Sequence, residues 1–156
     1  MAIKRRLRVS MEDVFPHGAF LTTDGADAVR DFDRSSKDKF VQQTDTVTGL
    51  PLWEVGVHDP DPEARKTERS VTVKIAAEVQ PVPPEALPGL PFRPVEFEGL
   101  ELTPYIDTKS CTGPQDGRPH RCRGRVAFGL RATGMHAPSQ SRRHASSTGK
   151  SAEAVA

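Results

Sequence analysis

The chain has 156 residues, enough for one domain, and 35% of them are apolar, so a single modest core is expected. The net charge is +1, but residues 1–9 carry four bases and no acid, and residues 108–156 carry nine bases against two acids. Basic ends around an acidic centre indicate an anionic partner such as nucleic acid, or flexible solubilising tails. The 14 Pro and 12 Gly residues predict many turns and argue against helix as the main element.

The absence of long apolar runs indicates where in the cell the protein is expected. No apolar run approaches the roughly 18 residues that a membrane-spanning helix needs, so no membrane partner is expected. The basic N-terminal segment is not followed by the apolar region of a secretory signal, which predicts a cytoplasmic location. The two cysteines are therefore expected to be reduced.

Residues 1–10 alternate as a strand does. Apolar residues share one face and cations share the other: Ile3, Leu7 and Val9, against Lys4, Arg6 and Arg8. Such a row of cations suits contact with phosphates, and it equally suits an edge strand that charge protects against aggregation. Pro16 and Gly18 then predict a turn, and residues 22–39 predict a polar loop.

The clearest strand pattern lies between residues 40 and 78. Residues 40–43 predict a short strand, and residues 45–49 predict a turn. Strict alternation over residues 52–58 and again over residues 71–77 predicts two long antiparallel strands, joined by a loop that Pro60 and Pro62 keep out of the ladder. Trp53 could offer a base a stacking platform, but it shares a face with Val55 and Val57, which favours core packing.

Six prolines between residues 81 and 94 stiffen the next segment toward a polyproline conformation. We interpret this segment as a rigid strap across the sheet, with a docking motif for a proline-reading domain as the alternative. Another strand follows over residues 95–105, and its alternation changes phase near Gly99, as at a bulge. Tyr105 at its end is a second candidate for base stacking.

The polar loop CTGPQDGRPHRC contains three residues that could bind a metal, Cys111, His120 and Cys122. Their spacing lacks the paired C-x2-C knuckle of ordinary structural zinc sites, and no fourth ligand is nearby in the sequence. Arginines at positions 118, 121, 123 and 125 surround the loop, which favours a basic hairpin tip over a metal site. No cofactor is predicted.

The last predicted strand runs over residues 126–134, with Arg125 and Arg131 beside its apolar residues. After Met135 the composition turns to Ser, Ala, Gly and bases, which predicts disorder. The expected organisation is one β domain over residues 1–134 and a disordered basic tail over residues 135–156. We expect no enzyme, because the chain contains no G-x-S-x-G elbow, no phosphate-binding G-x-x-x-x-G-K-[ST] loop and no H-E-x-x-H pair.

Five long stretches carry a family resemblance: MAIKRRLRVSMEDVFPHGAF, VRDFDRSSKDKFVQQTDTVTGLPLWEVGVHDPDPEAR, VTVKIAAEVQPVPP, LPGLPFRPVEFEGLELTPYI and GRVAFGLRATGM. Over residues 1–135 the chain resembles the plasmid replication, integration and excision activator family of actinobacterial integrative and conjugative elements. The resemblance implies a positive regulator of a mobile element's replication, integration and excision genes. It carries over no catalytic residue.

The combined prediction is an all-β fold, a small antiparallel barrel of five or six strands that resembles an OB-fold. Such barrels bind nucleic acid through a basic groove and exposed aromatic side chains. The predicted partner is single- or double-stranded DNA, and the predicted contacts are Lys4, Arg5, Arg6, Arg8, Lys74, Arg121, Arg123, Arg125 and Arg131, with Trp53 or Tyr105 for stacking. The alternative is an adaptor that recruits a replication or transcription protein through the strap or a free sheet edge, without contacting DNA.

Overall fold

A computed structural model of the chain describes residues 4–113 and 119–139. The predicted disordered tail lies outside the described residues from position 140 onward. The described part is nearly all β, with one four-residue helix. Its elements are β1 (Leu7–Arg8), α1 (Met11–Val14), β2 (Ala19–Leu21), β3 (Asp27–Ala28), β4 (Leu52–His58), β5 (Ser70–Ala76), β6 (Arg93–Glu98), β7 (Glu101–Asp107), β8 (Arg125–Ala132) and β9 (Gly134–His136).

The strands form one curled, half-barrel sheet in the order β1-β7-β8-β5-β4-β2-β6-β9, with β3 beside β4. The described residues thus hold nine strands, where five or six were predicted. Part of the difference is local, because bends at Gly99 and Thr133 each interrupt what the sequence pattern shows as one strand. The pairing also departs from the all-antiparallel prediction, since β5 and β8 run parallel.

The predicted hairpin of residues 52–58 and 71–77 is confirmed. Seven residue pairs join β4 and β5, from Leu52 opposite Ala76 to His58 opposite Ser70. Val55, Val57, Val73 and Ile75 are almost completely buried on the concave side of the sheet. Alternating apolar residues form this hairpin because successive side chains of a strand point to opposite faces. The predicted strand over residues 40–43 does not form, since the described residues there make only single bridges.

The core lies inside the curled sheet and is closed partly by the segment around α1. Ser10 caps this helix, with its side chain accepting from the Asp13 N–H and the Asp13 carboxylate accepting from the Ser10 N–H. The cap fixes the direction of α1, which contributes Met11 to the core. Phe15, the residue directly after α1, packs against Phe97 with 6.4 Å between the ring centroids. The predicted turn at Pro16 and Gly18 follows at once, with Gly18 at φ +84°.

The proline-rich segment connects β5 to β6, which lie on opposite sides of β4 and β2 in the sheet. Residues 79–92 contain no strand or helix, as expected of a strap. The side chain of Gln80 anchors its beginning by donating to the Ala26 carbonyl at 2.7 Å. At the other end of the sheet, Met135 and His136 pair with Phe97 and Glu96, so the sheet continues past position 134.

Candidate nucleic-acid interface

The hairpin of β7 and β8 extends beyond the rest of the sheet. Its ladder has seven pairs, from Glu101 opposite Arg131 to Asp107 opposite Arg125. Only the inner part is flanked, because β1 pairs with β7 at two residues and β5 pairs with β8 at three. The outer part is consequently exposed on both faces, including Tyr105 at 51% and Phe128 at 55%.

Basic residues cluster at the tip of this hairpin. Arg121, Arg123 and Arg125 are all exposed. The guanidinium of Arg125 lies 3.6 Å from the Asp107 carboxylate, yet two thirds of its side chain remains accessible. The backbone N–H of Lys109 donates to Asp107 and lowers the pKa of that carboxyl group. Asp107 thus stays charged and orders the base of the tip, while the three arginines face solvent.

Three other predicted contact residues are held within the protein. Arg6 and Arg131 both donate to the carboxylate of Asp45, which is 2% exposed. Lys74 lies opposite Arg131 in the sheet and donates to the Gln43 side chain at 3.2 Å. We call Arg6, Gln43, Asp45, Lys74 and Arg131 the Asp45 cluster. Burial lowers the pKa of Arg131, and the neighbouring positive charge of Arg6 lowers it further.

Asp45 is fixed by the turn that the sequence predicts over residues 45–49. Its carboxylate accepts from the N–H groups of Val47 and Thr48, and its carbonyl accepts from Gly49 at φ +74°. A buried carboxylate requires such donors and positive partners to offset the loss of water. The Asp45 cluster therefore has a structural role, joining the turn to β1 and β8.

The remaining predicted cations lie at the N-terminus. Lys4, Arg5 and Arg8 are exposed, and Arg8 lies opposite Glu101 across the β1–β7 pair. Because β1 runs antiparallel to β7, the chain enters β1 from the side of the hairpin tip. The structure therefore brings exposed bases from both regions to the same strand pair.

The two predicted stacking residues have different surroundings. Tyr105 lies on the exposed part of β7, opposite Ala127. Trp53 packs against the core cluster, and its indole N–H donates to the Ala77 carbonyl at 3.0 Å. An indole with a satisfied N–H and a packed ring behaves as part of the core.

The loop at the hairpin tip also brings together the three potential metal ligands. The ligand atoms of Cys111, His120 and Cys122 all lie within 4.8 Å of one another, and the two sulfur atoms are 4.0 Å apart. Both thiols are free. The pKa of Cys122 is lowered, first by a hydrogen bond from the Gly124 N–H and then by hydrogen bonds from His120 and Cys111.

Sequence reasoning missed the exposed apolar face of this hairpin. Ile106, Val126 and Phe128 continue the core-facing side of the strands but are 55% to 61% exposed. Alternation alone predicts a buried face there. Pro104 was an available signal, because proline cannot donate to a ladder and is confined to strand edges.

Comparisons of the chain with protein-family models, curated proteins and solved structures found no match. Within residues 4–113 and 119–139, no helix is both long enough and apolar enough to cross a membrane.

Proposed function

We propose that this protein is a nucleic-acid-binding regulator built on a barrel resembling an OB-fold, with its binding surface on the β7–β8 hairpin. The proposal includes no catalytic step. The resemblance to replication, integration and excision activators supplies the biological role, which is activation of a mobile element's genes in the cytoplasm. The observation that carries the proposal is a projecting β hairpin with exposed arginines and an exposed tyrosine.

Strand connectivity supports the OB-like assignment. The pair Glu98–Gly134 in β6–β9 and the pair Glu101–Arg131 in β7–β8 are separated by two residues on each strand, so the register continues through the bend. We therefore count β6 and β7 as one bent strand, called a path here, and β8 and β9 as another. Counted this way, five paths follow one another around a ring: β2, β4, β5, β8/β9, β6/β7 and β2 again.

That ring supports the proposed assignment, because an OB-fold is a five-stranded Greek-key barrel and its third and fifth strands run parallel. The parallel pair here is β5 with β8, the third and fifth paths in chain order. The proline-rich strap connects the third path to the fourth. In OB-folds, the face of the second and third strands and the loops after the first and fourth strands bind oligonucleotides. The loop after the fourth path is the basic tip at residues 108–124.

The binding surface lies on the hairpin because part of the strand face is covered. Gln43 lies over the outer side of β5, where it accepts from Lys74, and Thr22 and Thr23 lie against Gly56 of β4. Cations free to contact phosphate remain at the tip and at the N-terminus, where Arg121, Arg123 and Arg8 are exposed. Tyr105 adds an aromatic face on which a base can stack.

Fluorescence anisotropy with labelled single-stranded and double-stranded DNA from the element's promoter region tests the proposal. We expect binding to at least one form, with an affinity that falls steeply as salt rises, because phosphate contacts release counterions. The double variant Arg121→Ala/Arg123→Ala should weaken binding and reduce the salt slope by about 0.9 per lost duplex contact. Arg65→Ala/Lys66→Ala removes the same charge from the exposed β4–β5 loop and should leave binding unchanged.

Absence of salt-sensitive binding to either DNA form would overturn the proposal. Equal weakening by the two double variants would also contradict it, because net charge would then matter and the hairpin surface would not. A folding defect is excluded as the cause of weaker binding when both variants keep the circular dichroism spectrum of the wild type.

The exposed apolar face of the hairpin favours a second candidate function, an adaptor for a replication or transcription protein. Contiguous exposed apolar side chains commonly mark interaction sites. Ile106→Ser/Phe128→Ser should then abolish activation of the element's genes while DNA affinity stays at the wild-type value. Full activation by this variant would remove the adaptor from consideration.

A further inference from the structure

The tip of the β7–β8 hairpin contains a second, chemically distinct arrangement. Thr112 and Arg121 exchange both backbone hydrogen bonds, each at 3.2 Å. From this bridge toward the sheet, the next opposed residues are Cys111 and Cys122, which exchange no backbone hydrogen bonds with each other. Side chains at such positions approach closely in antiparallel strands. The ladder itself therefore places the two thiols side by side.

The separation of the sulfur atoms matches two ligands of one metal ion. Two zinc–sulfur bonds of about 2.3 Å at a tetrahedral angle hold their sulfur atoms about 3.8 Å apart. The observed distance from Cys111 Sγ to Cys122 Sγ is 4.0 Å, and a His120 nitrogen lies within 4.8 Å of both. A disulfide would require about 2.05 Å between the same atoms.

A backbone donor also contacts one of the two sulfur atoms. The N–H of Arg123 donates to Cys111 Sγ at 3.2 Å. Such outer contacts orient metal ligands and stabilise thiolates. Glycine at position 124 leaves space beside the thiol, because a Cβ there would lie 3.1 Å from Ile106 Cγ2 and 3.7 Å from Cys122 Sγ.

We propose that Cys111, His120 and Cys122 bind a divalent transition-metal ion of the zinc class. Two thiolates and one imidazole select such an ion over magnesium or calcium, which prefer oxygen ligands. Both thiols lose their protons to solvent on binding, and water fills the fourth position. The ion cross-links the two sides of the tip across the ten residues between the cysteines and orders the backbone that carries Arg121 and Arg123.

Cobalt titration of the full chain tests this site without nucleic acid, so its outcome is independent of the proposed function. The protein is reduced with a phosphine, stripped with a chelator and titrated with Co²⁺. We expect one ion per chain, a near-ultraviolet band from thiolate-to-cobalt charge transfer, and visible bands of tetrahedral cobalt. Added Zn²⁺ should displace the cobalt and erase both sets of bands. Added Mg²⁺ should displace none.

Variants assign the ligands. Cys122→Ser and Cys111→Ser should abolish the charge-transfer band, and His120→Ala should raise the Kd for Co²⁺ by about tenfold or more. His17→Ala, which removes a histidine that lies beside Asp61 and not among the three ligands, should bind as the wild type does. A reduced chain with two titratable thiols and no charge-transfer band would overturn the proposal, as would identical titrations of His120→Ala and wild type. Circular dichroism confirms that each variant is folded.

Discussion

The guanidinium of Arg6 binds the buried carboxylate of Asp45 with both of its terminal nitrogens, at 3.2 and 2.8 Å. The two residues are 39 positions apart, and the contact fixes the N-terminal strand against the turn at residues 45–49. A residue of the basic N-terminal segment thus stabilises the fold, while its neighbours Arg5 and Arg8 remain exposed.

Asp45→Asn should lower the free energy of unfolding by about 3 kcal/mol, because Arg6 and Arg131 would both lose the buried carboxylate that they share. Urea unfolding measures the change. Asp33→Asn removes an exposed carboxylate elsewhere and should alter the free energy by no more than about 0.5 kcal/mol. Equal stability of the two variants would show that the Asp45 cluster contributes nothing.

Tyr105→Ala should weaken binding of single-stranded DNA by about 1 to 3 kcal/mol, the typical contribution of one stacked base. Tyr105→Phe keeps the ring and should retain most of the affinity. Because Tyr105 is 51% exposed, neither change should lower the midpoint of thermal unfolding much. Anisotropy titrations with an oligonucleotide measure both variants, and a Tyr105→Ala protein with full affinity would exclude stacking at this position.

Gly99→Ala should destabilise the fold by about 2 kcal/mol. Gly99 has φ +58° at the bend between β6 and β7, and a Cβ there would lie 2.7 Å from Thr133 Oγ1 and 3.0 Å from Thr133 Cγ2. Thr133→Ala in the same chain should restore only part of the loss, since the backbone strain remains. Gly25→Ala, with open space around its Cα, is the matched control in chemical denaturation.

Phe128→Ala and Leu130→Ala should differ sharply although the residues lie on the same face of β8. Leu130 is 8% exposed and belongs to the core, so its truncation should cost about 2 to 4 kcal/mol of stability. Phe128 is 55% exposed on the projecting part of the hairpin, and its truncation should cost less than about 1 kcal/mol. Similar losses in denaturant titrations would mean that the outer hairpin is packed in solution.

Local patterns predicted the parts of the fold that depend on nearest neighbours. The alternation over β4 and β5 predicted both their strands and their antiparallel pairing, because one buried face fixes the register. The phase change near Gly99 predicted an interruption of the strand, expected as a bulge and found as a bend. The Asp45 turn followed from its polar residues and Gly49. The same local reasoning placed Arg6, Lys74 and Arg131 on a polar face, but it could not identify Asp45 or Gln43 as their partners.

The sequence by itself determined an almost all-β chain, its longest hairpin, its basic ends and the exposed arginines of the last loop, because side-chain alternation and charge are properties of consecutive residues. Tertiary structure decided which cations are engaged by Asp45, which apolar residues of β8 stay exposed, and that Cys111, His120 and Cys122 converge. The first two outcomes depend on strands that are distant in sequence and adjacent in the sheet, and no local spacing encodes their pairing order. The third depends on the backbone bridge between Thr112 and Arg121 within one loop, whose closure the loop's spacing alone does not determine.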